Sequence, residues 1–224
     1  MKKIIVIMLL SISIFAHAQT TLTLSEYCGN VENFNVVVTT STPLDFLEDN
    51  SLVQVAINGP YYDVNGNTEG IVIGPNNHTY SSRSGEIRGD LFVVDDSIFA
   101  VSRRSEFFVN NPSYHIGTHP LLTVNGEISS QADESRYNWV NNKTGVIFKA
   151  FRSAIGTKDG VHICVTVSDQ QVTMSEWARL LLKNGYKYSI NLDGGPISQL
   201  AIRGKGSFGG GGTTPTRMIF YFSK

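Results

Sequence analysis

Charge of one sign is scarce in this sequence. Its 224 residues hold 18 Lys and Arg against 19 Asp and Glu, with no long basic run. Nucleic acid and anionic membrane surfaces are recognised through clustered positive charge, so neither is expected as a partner. Cysteine is scarcer still: Cys28 and Cys164 are the only two, and there is no C-x-x-C. Neither has a histidine at ligand spacing, and His78, His115 and His162 show no metal-ligand spacing among themselves, so no metal site is read. In an oxidising compartment the two cysteines are expected to pair, tying the start of the mature chain to a central strand; two separate buried thiols fit the sequence nearly as well. Internal repeats and linkers are missing too, and the run Gly209 to Gly212 lacks the following Lys-Ser or Lys-Thr of a nucleotide-phosphate loop.

Long apolar runs are also missing, except at the start. Lys2 and Lys3 precede an apolar stretch from Ile4 to Phe15 broken only by Ser11 and Ser13, and Ala16-His17-Ala18 follows. That order is the pattern of a cleavable signal peptide over residues 1–18, with cleavage expected before Gln19 and a secreted or periplasmic product. The stretch is shorter than the roughly 20 apolar residues of a membrane span. No cysteine stands at the cleavage point, so no membrane anchor is expected after cleavage. Without Lys2 and Lys3, 16 basic residues face 19 acidic ones, a formal charge of −3. Residues 19–224 then form one domain with a sizeable core.

What is abundant is strand-like sequence. Phe34 to Thr40, Val53 to Ile57, Leu91 to Val94, Gly145 to Phe151, Val161 to Val167, Tyr188 to Leu192 and Arg217 to Phe222 are rich in β-branched and aromatic residues, with Gly, Asn, Asp or Pro between them. Asn65-Gly66 and Asn125-Gly126 are turn signals. Two helices are expected. Thr173-Met174-Ser175-Glu176 has capping-box spacing, Trp177, Ala178 and Leu181 follow at helical spacing, and Asn184-Gly185 supplies a stop. Thr42-Pro43 opens a shorter helix with Pro at its first position. The predicted fold class is α+β: strand-rich mixed sheets with two main helices in a single domain, the Gly204 to Gly212 stretch lying inside it because a strand-like run follows.

Four local patterns are hard to explain by packing alone. A strand runs into Asn58-Gly59-Pro60-Tyr61-Tyr62-Asp63. Thr118-His119-Pro120-Leu121-Leu122 leads to Asn125-Gly126. Arg152 stands at the end of an apolar run, followed by Ser153-Ala154-Ile155-Gly156. Ile190-Asn191-Leu192 is followed by Asp193-Gly194-Gly195. In this order, with Arg217 as a late arginine, they resemble the phosphodiester glycosidase family over roughly residues 50–222. The chain departs from the family pattern at Pro60, at Gly117-Thr118-His119, and at Pro196-Ile197-Ser198.

The resemblance implies a hydrolase that cleaves the bond between a sugar's anomeric carbon and a phosphodiester oxygen, with a carbohydrate or glycosyl phosphate as partner. The leaving group is a phosphate monoester, so the site must mainly supply charge stabilisation. Asp193 and Asp63 are the candidate carboxylates, Arg152 the candidate phosphate clamp, and Asn58 the fourth candidate catalytic residue. Gly194, Gly195, Asn191, Thr118, His119 and Arg217 are candidate substrate-binding residues, the two glycines because they allow close approach of a ligand to the backbone. No cofactor is expected, and members of the family differ in whether a metal takes part. Plainer readings stand beside these: an Asp-Gly-Gly after a strand is often only a turn, Asn58 could simply close one, and His119 could be a surface imidazole. The rival function is a non-catalytic carbohydrate-binding protein with the altered residues in its pocket.

Overall fold

The computed structural model describes residues 21–63, 65–83, 89–102, 109, 111–133, 147–210 and 214–224. Residues 1–18, read above as a signal peptide, lie outside them. Among the described residues sixteen strands form three sheets, with every pairing antiparallel.

The first sheet runs β1 (Leu24–Gly29), β12 (Ile163–Ser168), β11 (Ser153–Thr157), β13 (Tyr188–Asn191), β9 (Leu121–Val124) and β10 (Glu127–Ile128). The second runs β15 (Gly206–Gly209), β14 (Gln199–Ile202), β3 (Val53–Asn58), β16 (Met218–Ser223) and β2 (Phe34–Val38). The third runs β5 (Thr79–Arg83), β4 (Gly70–Ile73), β8 (Tyr114–Thr118), β6 (Gly89–Val94) and β7 (Ser97–Ser102). With the helices α1 (Pro43–Asp49) and α2 (Met174–Lys183), this is the strand-rich α+β domain expected.

Side-chain alternation explains the layering, because successive residues of a strand point to opposite faces. Ile155, Val165 and Leu121 enter a central core shared by all three sheets, which also holds Phe34, Ile57, Leu91, Ile116 and Phe220. Their neighbours Ala154, Cys164 and Leu122 point the other way, onto Met174, Trp177, Ala178 and Leu181 of α2. In the second sheet Ala56, Ala201 and Ile219 likewise face Leu47 of α1 while Val55, Ile57 and Leu200 face the centre.

The helix ends follow the sequence closely. The Thr173 hydroxyl accepts from the Glu176 amide at 3.1 Å and the Glu176 carboxylate accepts from the Thr173 amide at 2.8 Å, a complete capping box. Thr42 Oγ1 accepts from the Asp45 amide at 3.1 Å at the start of α1. Asn125 and Gly126, with φ of 52° and 75°, form the two-residue turn between β9 and β10.

One expected strand is not there. Of Gly145 to Phe151, only residues 147–151 are described. They are irregular, with an isolated bridge from Ala150 to Val172. Arg152 therefore precedes a strand instead of ending one. The strand begins at Ser153 because Ser153–Thr157 is buried throughout, with β12 on one side and β13 on the other. Ile147 and Phe148, which suggested the strand, are exposed at 46% and 55%.

Cys28 and Cys164 stand directly opposite each other on β1 and β12 and form a disulfide across 136 residues of sequence. Cross-links that close long loops restrict the unfolded chain most. Replacing both cysteines by Ala should lower unfolding free energy by about 2–5 kcal/mol, read as a drop in the urea midpoint of the oxidised protein. An unchanged midpoint would show that the cross-link adds nothing to stability.

Candidate active site

The four sequence patterns arrive at one place, where the ends of strands from all three sheets meet. Asn58 closes β3, Asn191 closes β13, Ser153 opens β11 and Thr118 closes β8. The anchor is the backbone carbonyl of Asp193. It accepts hydrogen bonds from Asn58 Nδ2 at 2.9 Å, Ser153 Oγ at 2.5 Å and Ser198 Oγ at 3.3 Å. Asn58 Nδ2 also reaches Ser153 Oγ at 3.0 Å, while its Oδ1 accepts from the Gln199 amide at 3.1 Å. The Leu192 amide donates to the Ser153 carbonyl, that of Asp193 to Gly59, and that of Gly195 to Phe151. The Asp-Gly-Gly segment is thus sewn to both neighbouring sheets. Asn58 lies wholly buried beneath this turn and does not line an open surface.

The Asp193 carboxyl is mostly desolvated. Burial is the largest influence and raises its pKa from 3.8 to about 7; a hydrogen bond from the Gly194 amide at 2.8 Å opposes this, and the charge of Glu69 adds to it. Glu69 was not singled out in the sequence. It is placed here because its backbone amide bonds to the Tyr61 carbonyl at 2.6 Å, folding the 61–69 loop back on itself.

Arg152 is 2% exposed. Its Nε donates to the Val172 carbonyl at 3.4 Å and its Nη2 to the Phe148 carbonyl at 3.3 Å. A Cβ added at Gly194 would lie 3.5 Å from Arg152 Nη1 and 3.3 Å from the Phe151 carbonyl, so the missing side chain at 194 leaves the guanidinium its room. Gly195, with φ of +74°, has open space where a Cβ would be. The amides of Gly194 and Gly195 are already donated within the protein, so neither is left to hold a phosphate.

Tyr61, noted above only as part of a motif, stacks on His119 with ring centroids 4.8 Å apart, and its hydroxyl accepts from Asn191 Nδ2 at 2.6 Å. Burial, and after it the charge of Asp193, holds its phenol pKa well above the usual value, with Arg152 opposing, so it stays protonated. Thr118 Oγ1 and Asn191 Oδ1 are buried with no hydrogen-bond partner among the described residues. Asp63 is placed differently: its Oδ1 accepts from the amides of Asn65 and Asn67, both at 2.9 Å, and its carboxylate is occupied in closing its own loop. Arg217 is exposed, its guanidinium 5.8 Å over the Tyr62 ring. Among the described residues no group of three or more His, Cys, Asp or Glu side chains is arranged to hold a metal.

The family model for phosphodiester glycosidases matches residues 51–219, a span that contains every one of these side chains. The chain belongs to the phosphodiester glycosidase family. Its fold is similar to that of the catalytic domain of zebrafish N-acetylglucosamine-1-phosphodiester alpha-N-acetylglucosaminidase auto-inhibited by its pro-peptide. That match has a TM-score of 0.64 at 13% identity and covers 93% of this chain and 85% of the other. A hypothetical protein from Synechocystis matches with a TM-score of 0.53 at 13% identity, over 91% of this chain and 59% of the other. At such identities the likeness is one of fold. Among curated proteins no sequence match is found.

Two outcomes follow for this member of the family. Asn58→Ala removes two donors and an acceptor from a sealed network and should cost about 2–4 kcal/mol of stability, measured by urea unfolding; an unchanged midpoint would show that the Asp193 turn holds without Asn58. Asp193→Asn should stabilise the protein at pH 8. An acid whose pKa is raised on folding binds its proton more tightly in the native state, so stability falls as pH rises from 3.8 towards about 7. Melting curves of both proteins should therefore converge below pH 4 and separate above pH 7. A constant gap across that range would contradict the raised pKa.

Proposed function

We propose that this chain is an exported hydrolase that cleaves a glycosyl phosphodiester, a sugar-1-phosphate diester, with Asp193 and Arg152 as its central catalytic pair. The observation that carries the reading is a desolvated carboxyl with a pKa near 7, fixed on an Asp-Gly-Gly turn beside a buried arginine, in a member of this family.

Water adds to the anomeric carbon as the bond to the phosphodiester oxygen breaks, leaving a reducing sugar and a phosphate monoester. Ionised Asp193 stabilises the positive charge that develops at the anomeric carbon, or takes the proton of the attacking water. Its desolvation makes that charge more effective than it would be in water. Arg152 answers the charge on the departing phosphate. Tyr61, protonated and braced by Asn191 and His119, forms one wall. Export rests on the order of charge, apolar run and small residues at the N-terminus, and no described helix is long and apolar enough to cross a membrane.

Turnover is measured as reducing sugar released from sugar-1-phosphodiesters. Asp193→Asn should lower it by about 100-fold or more while the fold survives. Arg152→Lys should also be damaging, because an ammonium lacks the planar fork. If the ionised carboxylate acts, kcat/KM rises with pH through about 7. A limb that falls through that pH and vanishes in Asp193→Asn would overturn the role given to Asp193. Saturable sugar binding by the wild type without turnover of any sugar-1-phosphodiester would support the binding-protein reading.

A further inference from the structure

A second feature lies on the far side of the Tyr61–Glu69 loop. There, a groove of about 950 Å³ opens between the end of β2 and the edge strand β5. Thr39, Thr40, Thr68, Ser81 and Ser82 line it, and among the described residues Arg217 is the one charged residue in the lining and no carboxylate belongs to it. The volume is at the upper end of that of ordinary ligand sites. Its chemistry is not that of a site for an apolar molecule: it offers many neutral donors and acceptors around one cation, which suits a polyhydroxylated anion.

Arg217 is positioned by packing. Its guanidinium lies 5.8 Å over the Tyr62 ring on one side, and on another it fills the space at Gly66, where an added Cβ would come within 2.8 Å of it. Gly66 also holds φ at +79°, so a side chain there is disfavoured twice. Among the described residues no carboxylate pairs with this arginine. A guanidinium oriented by a ring and a glycine, with no acid to neutralise it, keeps its charge and its planar fork for a ligand.

The groove and the site around Asp193 are linked through Tyr62, which follows Tyr61 in the chain and lies under the Arg217 guanidinium. Its phenol is within electrostatic reach of both Asp193 and Arg217. Its hydroxyl donates to the Pro215 carbonyl at 3.2 Å, which ties the loop to the segment carrying Arg217.

We infer that the groove takes the continuing chain of an acidic glycan, with Arg217 gripping its next anionic group while the glycosyl phosphodiester lies at Asp193. This rests on the reading of Asp193 given above and adds that the natural substrate is an oligomer or polymer. A phosphodiester in the backbone and a uronate carboxylate would both answer Arg217.

The test compares kcat/KM for an acidic sugar-1-phosphodiester oligomer with that for a single sugar-1-phosphodiester bearing a methyl aglycone. In the wild type the long substrate should be favoured, and Arg217→Ala should lower the long-to-short ratio by about tenfold, the loss of one charge-assisted contact. Thr40→Glu, a change at an exposed groove position, should lower the same ratio by placing a like charge in the path. Calorimetric binding of phosphate-linked and uronate oligomers to the Asp193→Asn protein reads the groove without catalysis and tells the two anions apart. Arg217→Ala made in that background should weaken whichever oligomer binds. A neutral oligosaccharide that binds as tightly, or a long-to-short ratio near one and unmoved by either variant, overturns the inference. Loss of all turnover with acidic-oligomer binding intact would instead fail the catalytic reading and leave the groove supported.

Discussion

Everything at the candidate site depends on one buried amide. Asn58 is sealed from solvent and uses both ends of its side chain, donating to the Asp193 carbonyl and to Ser153 and accepting from the Gln199 amide. Only the carboxamides of Asn and Gln offer two donors and an acceptor in one small uncharged planar group, and Asn carries it on the shorter stem. An aspartate would face the Asp193 carbonyl with no proton to give, and an apolar side chain would leave buried groups unsatisfied at a cost of about 1–3 kcal/mol each. The amide holds the second sheet to the first at the level of the Asp-Gly-Gly turn, and the position of the reactive carboxyl follows from it.

That carboxyl sits where stability and chemistry oppose each other. Burial raises the pKa of Asp193 to about 7, so the native state is penalised whenever the group is ionised. The same desolvation strengthens the interaction of the ionised form with a developing positive charge. Glu69 adds to the raise; Arg152, packed beside Gly194, acts with Asp193 on the Tyr61 phenol, the two charges in opposite directions. A site that was only a turn would have no reason to keep a carboxylate out of water.

The loop from Tyr61 to Glu69 separates two environments. On one side are Asp193, Arg152 and the stacked Tyr61–His119 pair; on the other are the hydroxyl-lined groove and Arg217. Asp63 helps to build this partition by accepting from the amides of Asn65 and Asn67. Its carboxylate holds the shape of the loop, and Glu69 is the acid whose charge reaches Asp193.

Local physics was legible in the residues alone. The capping box at Thr173 and Glu176, the Pro43 helix start and the Asn125-Gly126 hairpin depend on neighbours a few residues apart, and the sequence by itself determined them. The ordered motifs likewise determined the family. Gly145 to Phe151 misled because apolar, β-branched composition is a property of strands and also of exposed loops; only the pairing of Ser153–Thr157 with two partners decides which segment is the strand. The contacts that make the site lie beyond any local reading: Asn58 reaches Ser153 across 95 residues, Asp193 across 135 and Gln199 across 141. Which carboxylate is desolvated, which arginine is buried and which is held open to solvent were settled by tertiary structure, because burial and charge proximity arise only when distant strand ends are brought together.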